Sequence, residues 1–156
     1  MSYSRIKLMC WVKQLALLVF LVPAMAVSAQ AGTTPIGYIK TLNQNAAIVT
    51  DGKKRDVSIG DPVFEGDAIR TSRNGTLGVV FVDGAVMSIG SGSKVTLEQF
   101  LFEPDTKNVG FTAVVAAGNM SFISGAIGRI SPDSVRITTP TATLGLRGTK
   151  ILVDVK

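Results

Sequence analysis

Short apolar runs separated by turn residues dominate the chain after residue 32. The most apolar run, Leu77–Val82, is followed by Asp83-Gly84 and then by a second apolar run, Ala85–Ile89. Asp-Gly between two apolar runs predicts a β-hairpin with a two-residue type I′ turn, because that turn needs positive φ at both central residues. The first strand is largely apolar on both faces. We therefore expect a central hairpin that is buried on both faces.

The same pattern predicts an all-β fold in the rest of the chain. Further strands are expected at Gly37–Lys40, Ala46–Thr50, Lys94–Phe100, Phe111–Ala117, Met120–Ile123, Val135–Thr138 and Ile151–Val155. Asp51-Gly52 and Gly118-Asn119 are predicted turns, and the charged segment Lys53–Asp56 is read as the solvated end of a hairpin. Residues 124–133 have no clear assignment, and no amphipathic helix is evident. These features predict one domain of short antiparallel strands, forming a sandwich, a roll or a solenoid-like array.

Two similar phrases, Gly60-Asp61 and Gly66-Asp67, lie six residues apart. Glycine permits turn backbone angles, and aspartate can accept hydrogen bonds from neighbouring backbone amides. We interpret the pairs as turns rather than as a calcium site, because no further spaced acids accompany them.

The first 31 residues have the pattern of a signal peptide. Arg5, Lys7 and Lys13 form a positive region, the apolar run Leu15–Val22 follows, and small residues gather before position 32. The apolar run is shorter than the roughly 20 residues that a spanning helix needs. We therefore expect domains at 1–31 (signal peptide) and 32–156, no stable membrane span after cleavage, and a periplasmic or secreted location.

The residue inventory excludes several kinds of active site. The net charge of +5 includes three basic residues of the predicted signal peptide, so it is poor evidence for nucleic-acid binding. Cys10 and Trp11 also lie there, and the chain has no His. After cleavage no Ser-His-Asp triad, Cys-His pair or ordinary zinc site is available. We expect no catalytic residues, no cofactor and no metal.

An ordered set of motifs resembles the FecR domain family. It comprises the opening strand with Gly37, then Ile59-Gly60-Asp61, Gly66-Asp67-Ala68-Ile69-Arg70-Thr71, Gly75, Val79-Val80-Phe81-Val82-Asp83-Gly84, Val95-Thr96-Leu97, Gly118 and Ile137–Thr149. The resemblance implies an extracytoplasmic all-β domain. In the best-known members this domain belongs to a transmembrane regulator that relays occupancy of an outer-membrane iron-siderophore receptor to a sigma factor. Because a cleavable signal stands where those regulators span the membrane, we expect a free binding module.

The family-motif residues are expected to be structural. They are Gly66, Asp67, Arg70, Thr71, Asp83, Gly84, Arg147, Gly148 and Thr149. Arg147 has five donors in an otherwise apolar segment, so we expect it to pair with Asp67 or Asp83. The alternative is a contact with an anion or carboxylate at a partner surface.

These observations favour a non-enzymatic interaction domain with an envelope protein partner in signalling or surface assembly. Such a partner could add a strand to an exposed sheet edge. The alternative is a glycan- or peptidoglycan-binding module, for which Tyr38 is the lone aromatic candidate. A carboxylate-based hydrolase would need two converging acids, and the sequence does not pair any two.

Overall fold

The computed structural model describes residues 34–146 and 150–156, and within them the chain is almost entirely β. The strands are β1 (Gly37–Asn43), β2 (Ala46–Thr50), β3 (Lys53–Asp56), β4 (Pro62–Val63), β5 (Ala68–Thr71), β6 (Thr76–Phe81), β7 (Val86–Ile89), β8 (Lys94–Glu103), β9 (Asn108–Ile123), β10 (Val135–Thr138), β11 (Thr143–Gly145) and β12 (Lys150–Val155). The one described α-helix, α1, is Ala126–Ile130. The predicted signal peptide and Arg147, Gly148 and Thr149 lie outside the described residues.

The strands form two sheets that share β9. The order is β4-β1-β6-β7-β9-β12 in the first sheet and β3-β2-β5-β8-β9-β10-β11 in the second. Neighbours are antiparallel except β9 and β10, which are parallel. The all-β prediction is therefore confirmed, and the two sheets are continuous through β9 as one curled sheet.

The bend that joins the two sheets lies at Gly118, within β9. Residues 118–123 pair with β12, whereas the first part of β9 pairs with β8. Gly118 has φ +80°, and a Cβ there would lie 2.3 Å from Oγ of Ser93. The Ser93 hydroxyl exchanges hydrogen bonds with the backbone of Asn119, both at 3.0 Å. The predicted turn at Gly118-Asn119 is wrong, since the chain bends there without reversing.

The core lies between the two sheets. Four phenylalanines form its aromatic centre: Phe81, Phe100, Phe111 and Phe122. Phe111 stacks on Phe122 with ring centroids 4.9 Å apart and meets Phe81 edge-on at 5.2 Å. Both contacts have the geometry that aromatic quadrupoles favour, and they connect residues from both sheets.

The two Asp-Gly hairpins differ in their turns. Asp51 and Gly52 both have positive φ, as a two-residue type I′ turn requires. In the second hairpin Asp83 does not have a positive φ. The N–H of Gly84 donates to the carbonyl of Phe81, and the N–H of Phe81 donates to the carbonyl of Ala85. This is a three-residue loop with a glycine bulge, so the predicted two-residue turn is wrong there.

The hairpin of β6 and β7 is central within the first sheet, as predicted, but only its core face is fully buried. Leu77, Val79 and Phe81 are buried on the core face. The opposite face is covered only in part, since Gly78 is buried and Val80 half-buried, whereas Ser88 is exposed. The charged segment Lys53–Asp56 is β3, a paired edge strand. In the unassigned region, residues 126–130 form α1. None of the described helices has the length and apolar character needed to cross a membrane.

Candidate functional site

Asp67 is a fully buried carboxylate in the family motif of residues 66–71. Its Oδ2 accepts a hydrogen bond from the N–H of Phe64 at 3.0 Å, and Thr50 donates its hydroxyl to Oδ1. The N–H of Asp67 donates to the carbonyl of Phe64, which closes a four-residue turn through Gly66. Asp61 forms the same pair of contacts with Ser58. The interpretation of the Gly-Asp pairs as turns is confirmed.

The cation beside Asp67 is Arg55, from the segment that was read as solvated. Its Nη2 lies 3.6 Å from Oδ2 of Asp67, and its Nη1 lies 3.7 Å from Oδ2 of Asp61. Nη2 also donates to the carbonyl of Pro62 at 2.7 Å. One guanidinium thus contacts the aspartates of both turns and the carbonyl of Pro62, the residue after the first turn. The expected partner Arg147 lies outside the described residues, so that pairing stays a prediction.

Two further described motif residues, Asp83 and Thr71, also hold the backbone. Asp83 accepts hydrogen bonds from the N–H groups of Ala85 at 3.0 Å and Ile127 at 3.3 Å, so it ties the hairpin turn to α1.

Thr71 donates to the carbonyl of Gly90 at 2.6 Å and accepts from the N–H of Ser93 at 2.9 Å. Arg70 is an exposed residue of β5. These contacts stabilise turns and sheet junctions, and they do not bring the motif residues together at one surface.

The C-terminal half of β8 offers a different kind of surface. Leu97 exchanges backbone hydrogen bonds with Gly66 and Asp67, and beyond it no described strand pairs with this side of β8. The N–H of Phe100 donates instead to Oε2 of Glu65, at 2.9 Å. Since backbone groups alternate in direction along a strand, Phe102 also turns its N–H and C=O to this open side. Glu65 therefore occupies the place that a neighbouring strand's carbonyl would take.

A groove of about 460 Å³ runs beside this edge, and we call it the β8 groove. It is lined by Thr34, Pro35, Ile36, Glu65, Val82, Phe100, Leu101, Phe102 and Glu103. Its apolar lining comes from both sheets. Glu65 and Glu103 are both exposed and give its rim negative charge. An apolar floor, an acidic rim and backbone groups that no described strand pairs with are the features that bind an extended peptide.

The motifs gave no indication of the β8 groove. Glu65 and Phe102 were missed because the sequence shows neither which strand lies at an edge nor which half of it is covered. The sequence offered one relevant observation, the length of the alternating run that begins at Lys94. This run, part of β8, is longer than β5, the strand that covers its first half.

Comparison with known proteins places the chain in a family. The family model described as FecR protein matches residues 67–156, more than half of the chain, and the chain belongs to the FecR family. A solved structure titled "Cell surface anchoring domain" is 32% identical over 39% of this chain and 82% of its own, with a TM-score of 0.38. Among curated proteins no match was found. Family membership supports an envelope-associated interaction domain as the class of protein.

Proposed function

We propose that the chain is a non-enzymatic, periplasmic or secreted interaction domain that binds an extended segment of an envelope protein at the β8 groove. The observation that carries this proposal is the uncovered edge at Phe100 and Phe102. At this edge the N–H of Phe100 is held by the Glu65 side chain, and a partner strand would supply backbone partners for both residues as it covers them.

The groove also defines the chemistry of the segment. Side chains alternate along an added strand, so every second residue of the partner would enter the apolar lining formed by Ile36, Phe100 and Phe102. A lysine or arginine on the segment would reach Glu65 at the rim. The carboxylate would then exchange its hydrogen bond with Phe100 for an ion pair, while a partner carbonyl takes over the Phe100 N–H. The favoured segment is thus extended, apolar and basic.

A site-specific crosslinking experiment tests this assignment. A photoreactive phenylalanine analogue is placed at Glu103, beside the groove, and in a separate variant at Lys54, on β3. After irradiation in the producing cells, we expect a protein adduct from position 103 that is missing from position 54. Equal adducts from both positions, or none from position 103, would contradict the proposal.

Two further variants separate backbone pairing from simple apolar contact. Phe102→Pro removes an N–H that β9 does not use, and Phe102→Ala removes the ring but keeps that N–H. Strand addition predicts that the proline variant loses the adduct from position 103, while the alanine variant keeps more of it. If the alanine variant loses the adduct completely and the proline variant retains it, backbone pairing is refuted.

The glycan-binding alternative receives less support from the structure. Tyr38 is 49% exposed, but the described phenylalanines are buried or half-buried and supply no exposed aromatic platform next to it. Sedimentation with purified cell walls discriminates the two functions. Tyr38-dependent sedimentation would favour the glycan-binding function over the β8 groove.

A further inference from the structure

Strand β12 forms the last edge of the first sheet among the described residues. It pairs with β9 along its whole length and has no register shift. Val153 faces the core, whereas Leu152 on the opposite face is 77% exposed, the most exposed of the large apolar residues described. Natural sheets usually protect an edge with a proline, a bulge or an inward-facing charge. Strand β12 has none of these, and its charged residues, Lys150 and Asp154, lie on the outward face.

The backbone groups of β12 that face away from β9 can be identified. The N–H of Gly90 donates to the carbonyl of Asn119 at 2.9 Å, so the backbone of Asn119 points toward β7. The backbone N–H and C=O groups of successive residues point to opposite sides of a strand. Those of Met120 therefore point toward β12, where Met120 is paired with Val153. Leu152, the neighbour of Val153, must turn its N–H and C=O to the open edge.

The outward-facing side chains of β12 read Lys150, Leu152, Asp154, and this order is self-complementary. If a second β12 lies antiparallel with Leu152 opposite Leu152, Lys150 of each strand stands opposite Asp154 of the other. The backbone groups of Lys150 and Asp154 point to the same open edge as those of Leu152, so each opposed pair can exchange two hydrogen bonds. Opposite charges directly across antiparallel strands attract, and like charges repel.

We propose that a second copy of this chain occupies the β12 edge, so that two first sheets join into one continuous sheet about a two-fold axis at Leu152. The contact is isologous and therefore closes as a dimer, without forming a filament. It uses a different edge from the β8 groove and does not depend on the proposed function. Registers centred on Ile151 or Val153 would leave Lys150 and Asp154 without opposite charges, and the charge pattern therefore selects Leu152.

Charge reversal tests both the dimer and its register. Sedimentation velocity of the purified protein over roughly 1 to 100 µM should show a concentration-dependent dimer. Lys150→Glu and Asp154→Lys each place like charges opposite each other twice, and each should weaken dimerisation about tenfold or more. The double variant K150E/D154K restores both attractions and should return the dissociation constant to within about threefold of the original.

Matched variants keep the result interpretable. Lys40→Glu makes the same change of charge on β1, far from the β12 edge, and should leave the dimer intact. Leu152→Pro removes an N–H that β9 does not use, so it should abolish the dimer while the far-UV circular dichroism stays unchanged. A protein that is monomeric throughout, a dimer insensitive to Lys150→Glu, or a double variant that fails to recover would each overturn the proposal.

Discussion

Replacement of Asp67 by alanine should destabilise the fold more than replacement of Arg55, the cation beside it. In the structure the carboxylate accepts one hydrogen bond from a backbone N–H and one from the hydroxyl of Thr50, and it is 0% exposed. Asp67→Ala leaves both donors without their acceptor. Hydrogen bonds to a charged group each contribute about 1.5–3 kcal/mol, and the donors are only half-buried, so we expect a loss of about 3–4 kcal/mol in the free energy of unfolding.

The contrasting variant is Arg55→Met, which removes the cation but keeps the stem of the side chain. The guanidinium is partly exposed and its two ion pairs are 3.6 and 3.7 Å long, so solvent screens much of their attraction. Asp67 keeps its other two donors. We expect a loss of about 1 kcal/mol, most of it from the hydrogen bond to the Pro62 carbonyl.

Urea unfolding monitored by far-UV circular dichroism measures both losses. The one tryptophan, Trp11, lies in the predicted signal peptide, so tryptophan fluorescence would not report on the described domain. The slope of free energy against urea should be unchanged in both variants, and Asp67→Ala should lower the melting temperature by about 10–15 °C. If Arg55→Met costs as much as Asp67→Ala, the carboxylate depends on its ion pair more than on its two hydrogen bonds, which would refute the expected order.

Three other substitutions test separate parts of the fold. Gly118→Ala forces a Cβ against Ser93 at a positive φ and should cost about 2 kcal/mol or more in urea unfolding. Asp83→Ala leaves the N–H of Ile127 without its acceptor and should cost about 2 kcal/mol; because this contact ties down α1, limited proteolysis should cut residues 124–134 faster than in the original protein. Phe111→Ala opens a cavity at the aromatic centre and should cost about 3–5 kcal/mol, with a matching fall in melting temperature.

The sequence predicted local features well because their causes are local. A short apolar run identified β2 and an alternating run identified β10, both with their observed bounds, and Asp51-Gly52 formed the turn that its own backbone preferences favour. The turn at Asp83 was mispredicted because an Asp-Gly pair also fits a three-residue loop in which only the glycine has positive φ. The sequence also did not reveal that the Asp83 carboxylate contacts Ile127, which is 44 positions away. Such a contact leaves no trace in a short window of sequence.

The candidate site was less predictable for the same reason. The family motifs indicated residues that hold turns, whereas the β8 groove depends on which half of one strand remains uncovered. Arg55 was read as solvated because it lies in a charged run, and its attachment to Asp67 comes from the pairing of β2 with both β3 and β5. The Lys-Leu-Asp order on β12 was visible in the sequence, but it acquires a meaning only when β12 is known to be an edge.

The sharing of β9 between the two sheets has a consequence for cooperativity. Neither sheet is complete without this strand, so neither half can detach and leave the other intact. Amide hydrogens of β9 that are bonded to a neighbouring strand should therefore exchange only through global unfolding, whereas those of β3 and β4 can exchange through local fraying. Native-state hydrogen exchange should then report one free energy for both ends of β9, equal to that from urea unfolding.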